Sequence, residues 1–146
     1  MGAIEDHRRT VGRLFDEVWN GGRLDVIPEL YAVDFVADYR PYAPLRHGHD
    51  GIRQMVEGSR RTFRDFHEEL LGLVVDERRA AVHLRISGVQ TGAWGALPPS
   101  GRRLEFEEML VLTFDDDGRV VHQRGIVDNL QGLRQAGAIP TPRPAD

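Results

Sequence analysis

The chemistry open to this chain is narrowed by two absences. It contains no cysteine, and all 19 of its basic residues are arginine, with no lysine. Thiolate nucleophiles, cysteine-based metal centres and Schiff-base chemistry are therefore excluded. Carboxylates, histidines, hydroxyls and amides remain. The segment "LEFEEMLVLTF" (104–114) offers the sharpest candidate. In a strand, alternate residues share a face. Phe106, Leu110, Leu112 and Phe114 then form one apolar face, and Glu108 lies on it. A carboxyl among large apolar groups is desolvated, which raises its pKa towards the range of a general acid or base. The alternative for Glu108 is a buried ion pair with an arginine, or a bulge that turns it outward. Glu105 and Glu107 fall on the opposite, solvated face.

Two aspartates are further acid–base candidates. Asp38 stands beside Tyr39 and Tyr42 in an aromatic segment, and otherwise reads as a loop acid that organises the turn before Pro41. Asp128 stands at a strand-to-helix junction in "VVHQRGIVDNLQGLRQAGAIP" (120–140). Asp128 followed by Gln131 has a capping-box-like spacing, so a helix cap is its competing role. Residues 80–91 divide by alternation into Val82, Leu84, Ile86, Gly88 and Gln90, facing inward, and His83, Arg85, Ser87 and Val89, facing outward. Phe15, Trp19, Tyr31, Phe35, Trp94, Phe106 and Leu110 can line a core or a cavity. His47 and His49 in "RHGHD" lack a third ligand and read as a surface loop, so no metal site is expected.

These residues need elements to position them. Val11, Leu14, Phe15 and Val18 predict a helix from Ile4 to Asn20, stopped by Asn20-Gly21-Gly22. A short helix follows near Leu24 to Leu30. "YAVDFVADYRPYAPLRHGH" reads as a long loop, and Asp50 as the cap of a third helix from Gly51 to about Phe63. "HEELLGLVV", "RAAVHLRISGVQTG", "RRLEFEEMLVLTF" and "RVVHQRGIV" read as four strands, with turns at Asp76–Arg78 and Asp115–Gly118. A last helix runs from Asp128 to before Gly137. Helices followed by an antiparallel meander predict an α+β domain, a curved antiparallel sheet covered by N-terminal helices and closed by a short C-terminal helix. Such a cone has one open mouth, a natural small-molecule cavity.

The 146 residues fit one domain, with 137–146 expected to fray as a Pro-rich tail. A net charge of −4 leaves no basic footprint for nucleic acid or a membrane surface. No apolar run is long enough to span a bilayer and the N-terminus lacks a signal-peptide core, so a cytoplasmic protein is expected.

The pieces "NGGRLDVIPELYAVDFV", "GHDGIRQMV", "GVQTGAWGALPPSGRRLEF", "DDDGRVV" and "DNLQGLRQAGAIP", in this order, resemble the SnoaL-like polyketide cyclase family. That family has the cone-shaped α+β barrel also used by nuclear transport factor 2 and ketosteroid isomerase. The resemblance covers nearly the whole chain. It implies a cofactor-independent enzyme that moves protons on a polyketide-like or other cyclic apolar substrate, by cyclisation, isomerisation, dehydration or epoxide opening. It also implies a homodimer through the outer sheet face around His83 and Arg85. The cyclases' catalytic aspartate falls on Gly125 here, which would enlarge the cavity, and their strand histidine falls on Leu110. Asp128 matches a second family aspartate. Gln90 stands where relatives often carry histidine, so it is expected to hydrogen-bond a substrate carbonyl. Arg124 replaces a common tryptophan and, by alternation, points outward. The departures at 110 and 125 leave a non-catalytic binding protein as the alternative to an enzyme.

Overall fold

The computed structural model describes residues 2–140; the tail from 141 lies outside the described residues. Helix α1 (Ala3–Arg13) continues without a break into a wider, π-helical segment over Leu14–Trp19. Val11, Leu14, Phe15 and Val18 are all buried, as their spacing requires. Gly22, at φ +67°, ends this segment. A 3-10 turn (Leu24–Val26) leads into the four-residue helix α2 (Ile27–Leu30).

The next segment corrects the sequence reading. Tyr31–Asp38 is not loop but strand β1, which follows α2 with no intervening residue. No turn residues separate helix from strand, so no local signal marks the change. What makes β1 a strand is tertiary: it pairs in parallel with the last strand of the chain. The true loop is short, and a two-residue strand β2 (Arg46–His47) closes it against β1. Helix α3 (Gly48–Thr62) starts earlier than predicted. Its N-cap is His47, without a side-chain cap, and Asp50 sits in the first turn, paired with Arg53 at 2.9 Å.

Four long strands follow: β3 (Phe63–Val75), β4 (Arg79–Gln90), β5 (Arg103–Phe114) and β6 (Val120–Val127). They form an antiparallel meander, and β1 joins it in parallel to β6, so the sheet is mixed, in the order β2-β1-β6-β5-β4-β3. Helix α4 (Asn129–Gln135) packs on β5. The apolar core lies between the concave face of the sheet and helices α1 and α3. The alternation predicted for β4 and β5 holds, with one exception: Val82, Leu84, Ile86, Gly88 and Gln90 are buried, as are Leu104, Phe106, Glu108, Leu110, Leu112 and Phe114, but Ser87, expected outward, is buried as well. On the outer face His83 pairs with Glu107 at 2.8 Å and Arg85 with Glu69 at 3.1 Å. Met109 and Ile126 stand exposed on the convex side. Among the described residues no helix is long and apolar enough to cross a membrane.

Candidate active site

The cone encloses a cavity of about 200 Å³. Its walls are largely aromatic. Trp94 stacks on Phe106 with ring centres 5.5 Å apart, and Phe63 meets Trp94 edge-on at 5.9 Å. Phe15, Trp19, Phe66, Ile86 and Leu110 extend the apolar part. Gly132 in α4 is what allows the Trp94 position, because a Cβ there would come within 2.7 Å of the indole. At the rim, the Trp94 indole N–H donates to the Tyr42 hydroxyl at 2.8 Å, joining the 92–101 loop to the 39–45 loop.

Glu108 faces this cavity and is 7% exposed. No arginine pairs with it among the described residues, and the β5 bulge that would have turned it outward does not occur at this position. Burial pushes its carboxyl from 4.5 up to about 8; a hydrogen bond from Tyr39 pulls it partly back. The Tyr39 hydroxyl donates to Glu108 Oε2 at 3.4 Å and accepts from Gln123 Nε2 at 2.6 Å. Burial raises the Tyr39 phenol well above 10, so it stays a donor.

Tyr39 also reverses the expectation for Gly125. The space over Gly125 does not enlarge the cavity, because the Tyr39 ring fills it; a Cβ at 125 would run into that ring. Arg124 points away, as alternation required, and its guanidinium holds the carbonyls of Asp38, Gly125 and Arg40. It thereby fixes the backbone on either side of Tyr39.

A second buried carboxyl, Glu68 on β3, lines the same cavity and is 6% exposed. The sequence reading missed it because it ended α3 near Phe63 and began the strand at His67, whereas β3 starts at Phe63. The strand bulges between Arg64 and His67, with Asp65 at φ +56°, and the extra residue reverses the faces. The signal was available: Phe63 and Phe66 stand three apart, a spacing that puts both inside only if a residue is inserted. Asn20 then holds Glu68 by its backbone, accepting from its N–H at 2.7 Å and donating to its carbonyl at 2.9 Å. Burial, and after it the neighbouring Glu108, push the Glu68 carboxyl well above 4.5.

The other candidates fall elsewhere. Asp38 does not line the cavity. Alternation turns Ala37 inward and Asp38 away, where Arg40 clasps it through Nε at 3.0 Å and Nη2 at 2.9 Å. That clasp holds the Asp38 carboxyl far below the usual carboxylate range, which suits neither a base nor an acid at neutral pH. Asp128 is the cap of α4, accepting from the Gln131 N–H at 3.2 Å, and it too lies outside the cavity. Gln90 is inward-facing but anchors a loop: its Nε2 donates to the carbonyls of Gly92 and Pro98, each at 3.2 Å. Tyr31 and Phe35 belong to the packed core, edge to face at 5.0 Å, with the Tyr31 hydroxyl taken by Trp19 Nε1 at 3.2 Å. His49 is likewise engaged, 2.8 Å from the Tyr31 carbonyl. The polar groups gathered in the cavity are thus Glu68, Glu108, Tyr39 and Gln123, with Arg46, Tyr42, Ser59 and Asn129 along its lining.

Comparison with known proteins gives one family and one fold. The family model of the SnoaL-like polyketide cyclases matches residues 9–136. A protein from Jannaschia sp. CCS1, assigned as a SnoaL-like polyketide cyclase, is 24% identical, with a TM-score of 0.85 over 96% of this chain and 97% of its own. AclR from Streptomyces galilaeus, assigned as a hydroxylase, is 20% identical, with a TM-score of 0.81 over 96% of this chain and 86% of its own. TsrD from Streptomyces laurentii is 24% identical, with a TM-score of 0.79 over 90% and 98%. At these identities the likeness establishes the shared cone-shaped fold. No curated protein matches the chain significantly.

Proposed function

The chain belongs to the SnoaL-like polyketide cyclase family, and on that premise we propose that it is a small cofactor-independent enzyme acting on a polyketide-like or other cyclic, largely apolar metabolite. The reaction is an acid–base proton transfer. The observation that carries this reading is Glu108: a carboxyl inside an aromatic cavity, hydrogen-bonded to Tyr39, without an arginine partner among the described residues, its pKa raised by burial to about 8. A group with that pKa exchanges protons in both directions at working pH, which is where general acid–base catalysis is most efficient. The apolar walls supply the rest, excluding water and holding a flat ring system in its reactive orientation. Glu108 takes over from the aspartate and histidine positions that Gly125 and Leu110 occupy here.

Glu108→Gln removes the titrating oxygen while keeping size and hydrogen-bonding capacity. It is expected to slow solvent-deuterium uptake by a bicyclic ketone such as 2-tetralone about 10²-fold or more, with folding intact. Uptake at the wild-type rate in the variant would remove Glu108 from the chemistry. A second reading, a non-catalytic binder on the same fold, is favoured by Asp38, which is locked to Arg40 outside the cavity. A binder would take up the ketone with equal affinity in both proteins and catalyse no exchange in either.

A further inference from the structure

We propose that Glu68 is a second catalytic residue of the cavity, a carboxylic acid that gives a proton to a carbonyl oxygen of the substrate while Glu108 takes one from the neighbouring carbon. This deepens the reading of Glu108 and rests on it. Both carboxyls are buried in the same cavity. Among the described residues neither has a cationic hydrogen-bond partner. Tyr39, Tyr42 and Arg46 are the other titratable groups lining the cavity, and Tyr31 lies close enough to Glu68 to feel its charge. Burial holds the Tyr31 and Tyr39 phenols neutral, and the Arg46 guanidinium donates to Gln54 at 2.8 Å. Two carboxylates in so apolar a space cannot both be ionised cheaply, so the pair keeps a proton over a wide pH range.

Geometry assigns that proton. Glu108 Oε2 receives the Tyr39 hydroxyl, itself oriented by Gln123, and a donated hydrogen bond favours the anion. Glu68 Oε2 is buried with no hydrogen-bond partner among the described residues. An oxygen buried without a donor favours the neutral acid, because nothing stabilises a charge on it, and Glu68 lines the cavity in which a ligand would lie. The Asn20 clamp and the left-handed Asp65 hold Glu68 inward at the cost of local strain, a feature that clusters at functional sites. The Gln123 Oε1 atom, also buried and unpartnered, adds a second orphan to the same cavity.

The step balances. Glu108 carboxylate removes a proton from carbon, the C–H pair becomes a C=C bond, and the C=O π pair takes the proton of Glu68 to form an enol. The reverse transfer, from Glu108 to a different carbon of the conjugated system and from the enol O–H back to Glu68, yields the shifted product and restores both side chains. The substrate class this selects is an enolisable ketone.

The test is a titration of the carboxyl carbons by NMR in protein labelled with ¹³C at glutamate Cδ, for the wild type, Glu68→Gln and Glu108→Gln. Two glutamate signals should remain protonated where the surface glutamates ionise, one being lost in each variant. In Glu108→Gln the Glu68 midpoint should drop by about one pH unit or more, since the like charge is gone. A Glu68 signal that titrates with the surface glutamates, or one whose midpoint ignores the loss of Glu108, would overturn the proposal. In exchange of 2-tetralone in deuterium oxide, Glu68→Gln should lose about 10²-fold. If Glu68→Gln exchanges at the wild-type rate while Glu108→Gln is inert, only the role of Glu68 falls; if Glu108→Gln is fully active, the reading beneath it falls as well. Should Glu68→Gln not fold, Asn20→Ala frees the same side chain, and an unchanged exchange rate in that variant would contradict the proposal.

Discussion

Tyr39 links the two unusual features of the site. Its ring occupies the volume over Gly125, and its hydroxyl bridges Gln123 and Glu108. The glycine and the tyrosine are therefore one arrangement, since a side chain at 125 would expel the ring. Tyr39→Phe keeps the ring and deletes the donor. Losing a hydrogen bond to the charged form should move the Glu108 midpoint upward from about 8. Gln123 Nε2 would lose its acceptor in a buried place, costing about 1–3 kcal/mol of stability. Carboxyl titration and urea denaturation of the variant check both effects, and a midpoint that stayed or fell would break the assigned donor role. At this scale Glu108 was legible in the sequence, because one alternation rule places it. Glu68 was not singled out because its orientation depends on a bulge, whereas Gln123 shares the inward face of β6 with Gly125 and alternation alone could have placed it. Asp38 misled because composition shows an acid among aromatics but not the arginine two residues on that claims it.

The elements divide along the same line. β4 and β5 are long and cleanly alternating, and their faces could be read directly from residue order. β1 could not, because its strand character comes from a parallel partner some 90 residues away in sequence, as in the pairing of Tyr31 with Val120. The helix α4 was marked at both ends, by Asp128 and by Gly137 at φ +78°. Its cap is separable from the chemistry. Asp128→Ala should cost about 1 kcal/mol in urea denaturation, within the usual range for a lost N-cap. It should leave proton exchange unchanged, because the Asp128 carboxyl caps α4 and does not line the cavity. A variant of normal stability that had lost exchange would return Asp128 to the list of catalytic groups.

For the whole molecule, the buried carboxyls tie stability to pH in an unusual direction. Glu108 releases its proton at about 8 in the folded protein and near 4.5 when exposed. Between those values the folded state holds a proton that the unfolded state has lost. The contribution is therefore fully present below 4.5 and disappears as pH rises through about 8. Most proteins lose stability in this range only slowly, since their perturbed carboxyls are shifted downward, as Asp38 is here. Glu68 adds to the trend in the same sense, being raised also. The cone thus keeps its mouth and aromatic walls at the expense of stability at alkaline pH.

The most direct test of Glu108 as a desolvated carboxyl of raised pKa is the unfolding free energy of the wild type and of Glu108→Gln, measured by urea denaturation across this pH range. The wild type should lose stability relative to the variant by up to about 1.4 kcal/mol for each pH unit between the two midpoints. Two curves that run parallel from 4.5 to about 8 would mean that Glu108 ionises as an ordinary surface carboxylate, and acid–base catalysis by this residue would have to be abandoned.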